Sequence, residues 1–472
     1  MSSAVDRSGI APLLALRDEL NAAIDQLVAS NEPLVSLDSL TLPTPGTPAK
    51  LNVASVASKI NSLVLGGGGV LERAMGVSLP SSCAPLARLH SVDLFHCQYH
   101  AVAALRVVVE AHVTETLKEA ASDGKEALHV DEIAKSSNID PKKLGRILRL
   151  LASYHIFREV DLDVFANNRN SLFLDTGKAV DELKATDDFY SGSNGLAACI
   201  THCADDVMKG AAYLAEVVLD AETAASYSPA KSSLSRAFHV DGPFWEYFAQ
   251  PGNERYTSRF ASAMKGTSIM HGEDGILNGF PSKSLDAGAT IVDVGSGFGA
   301  VSRKVAEAFP NLKLTLQDRP EVMQGPAQEL WQSEMPDALE SGRVMLMPHD
   351  FYQPQPVKGA NMYLMRYIIH DLCDEDALKV LSNLAAAAAP SSRLLLIEQT
   401  YDALAAGHRA PTSFPYLMDM QMLIALNAQE RTEKQYKDLG DGAGWELVKV
   451  WRTGPDGVDG PVRHFEFKLA KA

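Results

Sequence analysis

"VDVGSGFGAVSRKVAEAFPNLKLTLQD", residues 292–318, reads as a strand, a glycine-rich turn, a helix, a second strand and an acidic end. Gly295, Gly297 and Gly299 follow an apolar run that ends at Val294. Glycine there lets the backbone turn tightly and bring a helix N-terminus close to a ligand. Asp318 closes the next strand, where a carboxylate can accept both hydroxyls of a ribose. Any adenosine-bearing cofactor meets this description. The turn by itself admits a nicotinamide dinucleotide as well as S-adenosylmethionine, because Gly295, Gly297 and Ala300 satisfy the looser dinucleotide spacing; a packing turn with no ligand is the third alternative.

Outward from that turn, "ATIVDVGS", "LKLTLQD", "RVMLMPHD", "NMYLMRY" and "SRLLLIEQT" are short apolar runs separated by helical patterns. The alternation predicts parallel strands covered by helices on both faces. "WELVKVWRT" and "RHFEFKLAK" are separated only by "GPDGVDGPV", too short for a crossover helix, which predicts an antiparallel terminal hairpin. Upstream, residues 91–118 carry a long helical pattern, and "HVDEIAKSSNIDPKKLGRILRLLASYHIF" reads as two helices around an Asp-Pro break. The spacing of Ile133, Ile139, Leu144, Ile147, Leu148 and Leu151 fits a winged-helix arrangement. The acidic balance argues against DNA reading, so we assign this region to dimerisation and lid formation. The segment from about residue 9, "GIAPLLALRDELNAAIDQLVAS", reads as a helical arm, followed by a Pro/Thr/Ser-rich linker; the four glycines of "LVLGGGGVLERA" read as a flexible turn. The expected domains are a helical arm and linker (1–89), a helical dimerisation and lid domain (90–283) and a cofactor-binding α/β catalytic domain (284–472).

The 472 residues are 46% hydrophobic and 22% charged, an ordinary globular balance. The excess of 59 acidic over 43 basic side chains, net charge -16, repels phosphates and anionic lipid, so neither nucleic acid nor membrane is an expected partner. The opening "MSSAVDRSGIAPLL" has no basic stretch leading into an apolar one, and five cysteines form no repeating framework. Both point to reduced thiols and a cytosolic location.

Three features separate the cofactor alternatives. The glycine turn stands behind a helical region, the sheet finishes in an antiparallel hairpin, and Asp293 lies two residues before the first glycine. Each favours a methyltransferase-type sheet over a dehydrogenase. With "RILRLLASY", "VDVGSGFG", "LQDRPEV", "LMRYIIHDLCDEDALKVL", "LLLIEQTY" and "NAQERTEKQY" in this order, the chain resembles the class I, S-adenosylmethionine-dependent O-methyltransferases of the plant caffeate and flavonoid type, and more closely their fungal relatives.

The resemblance, over roughly residues 90–472, implies S-adenosylmethionine as cofactor and S-adenosylhomocysteine as product, a homodimer, and a small phenolic substrate such as a lignin-type methoxyphenol or a fungal secondary metabolite. It implies that Gly295, Gly297, Asp318, Asp350, Phe351 and Arg366 contact the cofactor, with Arg319 beside Asp318 where plant members carry an apolar residue. Met264 and Ser268, in "MKGTSIM", fall in a segment that lines the cofactor pocket of the family. His370 matches the general base, and Glu398 and Glu430 the two carboxylates that flank it. Asp371, Phe414, Met418, Met422 and Asn427 are the expected substrate-facing residues. No metal is implied, because a histidine base stands where the related metal-dependent enzymes bind catechol through carboxylates.

The chemistry asks for these residue types. A phenol with pKa near ~10 and a histidine near ~6.5 leave proton transfer uphill by roughly 5 kcal/mol, so the surroundings must lower that cost. A carboxylate beside the imidazole stabilises the imidazolium and fixes the tautomer that leaves the other nitrogen free. Blander readings stand beside the functional ones. His370-Asp371 could be a strand-end turn with capping, Glu430 a helix-cap partner near Thr432, and the methionines of "SFPYLMDMQMLIALN" a helix packed on the sheet. "GPFWEYFAQ" could line a pocket or anchor domains, and His96, Cys97 and His100 read as packing before metal ligation. The competing functions are an S-adenosylmethionine-binding relative that is a scaffold, decarboxylase or hydroxylase, and a NAD-dependent dehydrogenase.

Overall fold

The structure, a computed structural model, describes residues 18, 22, 99–270, 277, 279–281, 285–401, 414–452 and 462–470, without the side chains of 268–270, 326 and 414. The N-terminal arm, its linker, the four-glycine turn, His96 and Cys97 lie outside the described residues. The chain folds as two compact units: described residues up to Met208 with Pro251–Met270, and Lys209–Gln250 with the described residues from 277 onward.

In the first unit, α1 (Tyr99–Glu110) and α2 (Val113–Ser122) replace the single long helix that the apolar pattern over 91–118 predicts. The break lies at His112, whose φ of 53° places it in the left-handed region. Apolar periodicity runs through the turn, so the pattern alone does not reveal it. The Asp-Pro break is present: α3 (Val130–Ser137) ends before Asn138 in the left-handed conformation, and α4 (Pro141–Ser153) starts with Pro141 in its first turn and the Asp140 carboxylate accepting from Lys143 N at 3.0 Å. Ile133, Leu144, Leu148 and Leu151 are fully buried, and Ile139 and Ile147 pack half-buried against them. A short strand β1 (Leu128–His129) pairs with β3 (Val164–Ala166), which pairs antiparallel with β2 (Arg158–Asp161). Two helices with this hairpin make the winged-helix arrangement. Farther along, α5 (Leu196–His202) runs into a π-helical turn, Cys203–Val207.

A short helix α6 (Ser233–Ala237) belongs to the second unit by its packing on the helix Phe414–Leu426, although the sequence boundary at 283 puts it with the helical domain. The chain then returns to the first unit for α7 (Glu254–Met270), which packs closely on α5 at Gly195 and Gly266.

The second unit is a seven-stranded sheet in the order β6-β5-β4-β7-β8-β10-β9. Strands β4 (Thr290–Val294), β5 (Lys313–Asp318), β6 (Val344–Pro348), β7 (Met362–Arg366) and β8 (Arg393–Gln399) pair in parallel. β9 (Trp445–Arg452) and β10 (Val462–Leu469) form the antiparallel hairpin, with β10 also antiparallel to β8. Alternate residues serve opposite faces. Val292, Val294, Tyr363 and Leu396 pack under α9 (Asp374–Ala387) and α11 (Glu433–Gly442), while Ile291, Leu316, Leu364 and Ile397 pack with α8 (Ala300–Ala308) and Trp331. Burial on both faces explains why these strands read as continuous apolar runs. Strand order reverses between β4 and β7, and an open α/β sheet binds its ligand at the carboxyl ends beside such a reversal. α10 (Phe414–Leu426) precedes α11.

Candidate active site

At the end of β4 the glycines turn as their positive φ angles require: 70° at Gly295, 55° at Gly297 and 85° at Gly299. A Cβ on Gly295 would lie 2.6 Å from the Ile368 side chain, so that glycine lets the turn close on the segment after β7. A Cβ on Gly297 would meet nothing within 4 Å, leaving that backbone open to a ligand. Asp318 spans the turn: Oδ2 accepts from Gly297 N and Oδ1 from Arg319 N, each at 2.8 Å. Each oxygen keeps a further acceptor position. Asp293 is buried beneath, accepting from Ser302 Oγ at 2.6 Å, and burial pushes it up to about 7. Asp350 is exposed after β6, its Oδ1 accepting from Tyr352 N at 2.9 Å, and the half-buried Phe351 follows it. The Arg366 guanidinium lies 4.8 Å from the Tyr367 ring centre. An open glycine backbone, a carboxylate with free acceptor positions and a neighbouring aromatic fit an adenosine-bearing group. Arg319 is exposed. Met264, exposed, and Ser268 lie on α7 of the first unit.

The polar cluster lies after β7, where a 3-10 turn, Ile369–Asp371, carries His370. The residue is 8% exposed, and its Nδ1 lies 2.9 Å from Glu430 Oε1. Asp371 Oδ1 lies 3.4 Å from Nε2. Burial lowers the imidazole, but the Glu430 and Asp371 carboxylates, helped by the Glu430 hydrogen bond and the Glu398 charge, outweigh it and raise the ring to about 10. Glu398 reaches the backbone of this turn instead of the ring: Oε1 accepts from Ile368 N at 3.1 Å and Ile369 N at 2.9 Å. Burial pushes Glu398 up to about 7. Oε2 of Glu398 and Oε2 of Glu430 have no hydrogen-bond partner among the described residues. Glu430 is not the helix cap, because Thr432 and Gln435 form a capping box that starts α11 and leave its carboxylate to the histidine.

The expected substrate residues separate. Met418 is half-buried on α10, Met422 is buried, and Asp371 stands at the histidine. The Phe414 side chain lies outside the described residues. Asn427 has a φ of 54° and donates both amide hydrogens, to Ser226 O at 3.2 Å and Ser228 O at 3.0 Å, so its amide ties two distant segments together. In "GPFWEYFAQ", Phe244 and Phe248 are buried in an aromatic cluster with Phe238. His100 is exposed, and the described cysteines Cys199, Cys203 and Cys373 form no disulfide.

Sequence reasoning passed over two residues here, Tyr367 and Arg431. Tyr367 takes a φ of 52° and sets its ring 5.3 Å from that of His370. Asp419 Oδ1 accepts from Glu430 N at 2.9 Å. Arg431 is fully buried beside the histidine turn. The "ER" of "NAQERT" was the available signal for Arg431.

A glycine turn and acid at the first two strand ends, on a parallel sheet closed by an antiparallel hairpin, define a methyltransferase-type domain. Residues 212–446 match the O-methyltransferase domain, and residues 93–174 match the O-methyltransferase dimerisation domain. An O-methyltransferase of Armillaria gallica is 37% identical over 396 residues, 79% of this chain and 82% of the relative. The 4-O-methyltransferase 1 of Phanerochaete chrysosporium is 36% identical over 374 residues, 74% of this chain and 78% of the relative. The solved mitomycin 7-O-methyltransferase superposes with a TM-score of 0.66 at 25% identity, covering 83% of this chain and 100% of that one. The chain belongs to the O-methyltransferase family and is an S-adenosylmethionine-dependent enzyme of it. No helix among the described residues is long and apolar enough to cross a membrane.

Proposed function

We propose that this enzyme methylates a phenolic hydroxyl of a small aromatic compound, of the lignin-type methoxyphenol or fungal secondary-metabolite class, and that His370 accepts the phenol's proton. The observation that carries the reading is the buried His370–Glu430 pair at 2.9 Å. With Nδ1–H donating to Glu430, Nε2 keeps its lone pair and can take the proton. The carboxylates that raise the ring to about 10 bring it level with a phenol near ~10, so the ~5 kcal/mol deficit of an ordinary histidine largely disappears. The cost is that free imidazole is the minor form at neutral pH.

S-adenosylmethionine, when bound, supplies a methyl on a sulfonium and departs as a neutral thioether, so one base suffices. Gly295, Gly297, Asp318, Arg319, Asp350, Phe351 and Arg366 are the residues we assign to holding it. Asp371, Met418 and Met422 are the proposed contacts to the aromatic acceptor, whereas the Asn427 amide is taken up by Ser226 and Ser228. A relative named sterigmatocystin 8-O-methyltransferase supports an acceptor of the fungal secondary-metabolite class. The match of residues 93–174 to a dimerisation domain supports a homodimer. Described cysteines that form no disulfide, together with the acidic balance, support a cytosolic setting.

His370→Gln tests the reading. Turnover on a phenol panel should fall by about 10²–10⁴-fold, as expected for removal of a general base. Cofactor affinity measured by calorimetry should stay close to wild type. Full turnover in that variant would contradict the assignment.

A further inference from the structure

Arg431 is 0% exposed, and its fork is spent on the turn that carries His370. Nη1 donates to Ile369 O and Nη2 to Leu372 O, each at 2.7 Å, so the guanidinium grips the carbonyls on both sides of the histidine. Nε and Nη2 also donate to Asp374 Oδ1, at 3.0 and 2.7 Å, and Gln429 Nε2 donates to the same oxygen at 3.0 Å. Glu398 Oε1 holds the N–H groups of Ile368 and Ile369 from the opposite side. The peptide hydrogen bonds of a one-turn 3-10 segment are too few to fix a side chain by themselves. Here a carboxylate fastens the donors of the turn and a guanidinium its acceptors. Arg431 also follows Glu430 directly in the chain, and Thr400 and Arg431 form a β-bridge that ties this segment to the end of β8.

We infer that Arg431 is a positioning residue for the methyl transfer: it sets the His370 ring at hydrogen-bond distance from Glu430 by fastening the two backbone segments that carry them. A planar fork is required, since a lysine ammonium cannot serve two carbonyls and a carboxylate in the same geometry. The residue acts through His370 and touches no reacting atom. The inference rests on the reading of His370 as the base.

The test compares Arg431→Lys, His370→Gln and the double variant, using purified full-length enzyme, S-adenosylmethionine and a phenol accepted by the wild type. In Arg431→Lys, kcat should fall about tenfold to hundredfold, the size expected from a displaced catalytic group. KM for the phenol and the calorimetric affinity for the cofactor should stay near wild type. Added to His370→Gln, the lysine substitution should cost nothing further, because its target is gone. A lowered melting temperature with unchanged kcat would overturn the inference, and so would the same fold loss in both backgrounds. If Arg431→Lys does not fold, Asp374→Ala decides: the carboxylate is largely exposed, and its loss should lower kcat severalfold with cofactor binding kept. Unchanged kcat there overturns the inference. Full activity in His370→Gln would instead sink the base assignment itself, whereas an inactive His370→Gln beside a fully active Arg431→Lys sinks only the role of Arg431.

Discussion

In the helical unit, Asp205 and Asp206 are buried with every carboxylate oxygen paired. Arg106 Nη1 and Arg259 Nη2 serve Asp205 at 2.5 and 2.8 Å; Arg259 Nη2 and His202 Nδ1 serve Asp206 at 2.5 and 2.8 Å. At the sheet edge, Glu398 and Glu430 are buried as deeply, yet one oxygen of each has no hydrogen-bond partner among the described residues. The same residue types thus give two outcomes. A network with every acceptor filled fixes one arrangement of α1, α5 and α7, because any change leaves a buried charge exposed to low dielectric. A network left partly open around an imidazole instead shifts proton affinities, which is what general-base chemistry needs.

The comparison can be broken from either side. Arg259→Met strips both aspartates of a partner and should destabilise the first unit by about 3–5 kcal/mol, read as a fall in melting temperature. The pH dependence of turnover by the molecules that remain folded should not move. If melting is unchanged, the aspartates are not held as described.

A smaller effect is expected at the sheet edge from Glu430→Gln. It removes the strongest charge that raises His370, so the ring should titrate lower and the rising limb of kcat/KM against pH should move to more acid values. The maximum rate should drop as well, since the imidazolium loses its partner. A limb that stays in place would separate Glu430 from the titration.

Glu398→Gln is the mildest change. Glutamine Oε1 can still accept from Ile368 and Ile369, so the turn should keep its place, and stability at acid pH, where the glutamate is protonated too, should change by about 1 kcal/mol or less. Its pH dependence should differ, however. Glu398 is raised from 4.5 to about 7 in the folded chain, so the native state holds its proton longer than the unfolded chain does. That contribution is present below about 4.5 and lost as pH rises through about 7. Melting temperatures recorded across this window should fall less in the variant than in the wild type; an identical slope would argue against a buried, raised carboxyl.

The sheet was legible because strands buried on both faces leave continuous apolar runs, and the glycine turn because its spacing is a steric demand. The terminal hairpin followed from a connection too short to cross over. The break at His112 was not legible, since Val108, Val109, Val113 and Leu117 on its two sides continue one apolar pattern into the same core. Nor was the direction of Glu398: a strand-end carboxylate can aim at a ring or at a backbone, and only the path of the next loop decides. Asn427 shows the same limit, its amide being taken by carbonyls some 200 residues earlier in the chain. The assignment of Lys209–Gln250 to the second unit depends likewise on contacts with α10 that local pattern cannot register.

The central claim is that buried carboxylates hold a proton on His370 and tune it to a phenol. A ¹⁵N NMR titration of labelled histidine, with His370→Gln used to assign the signal, reads this directly. The ring should titrate near 10 in the wild type and clearly lower in Glu430→Gln. A ring that titrates near the ordinary ~6.5 in both proteins would contradict the account.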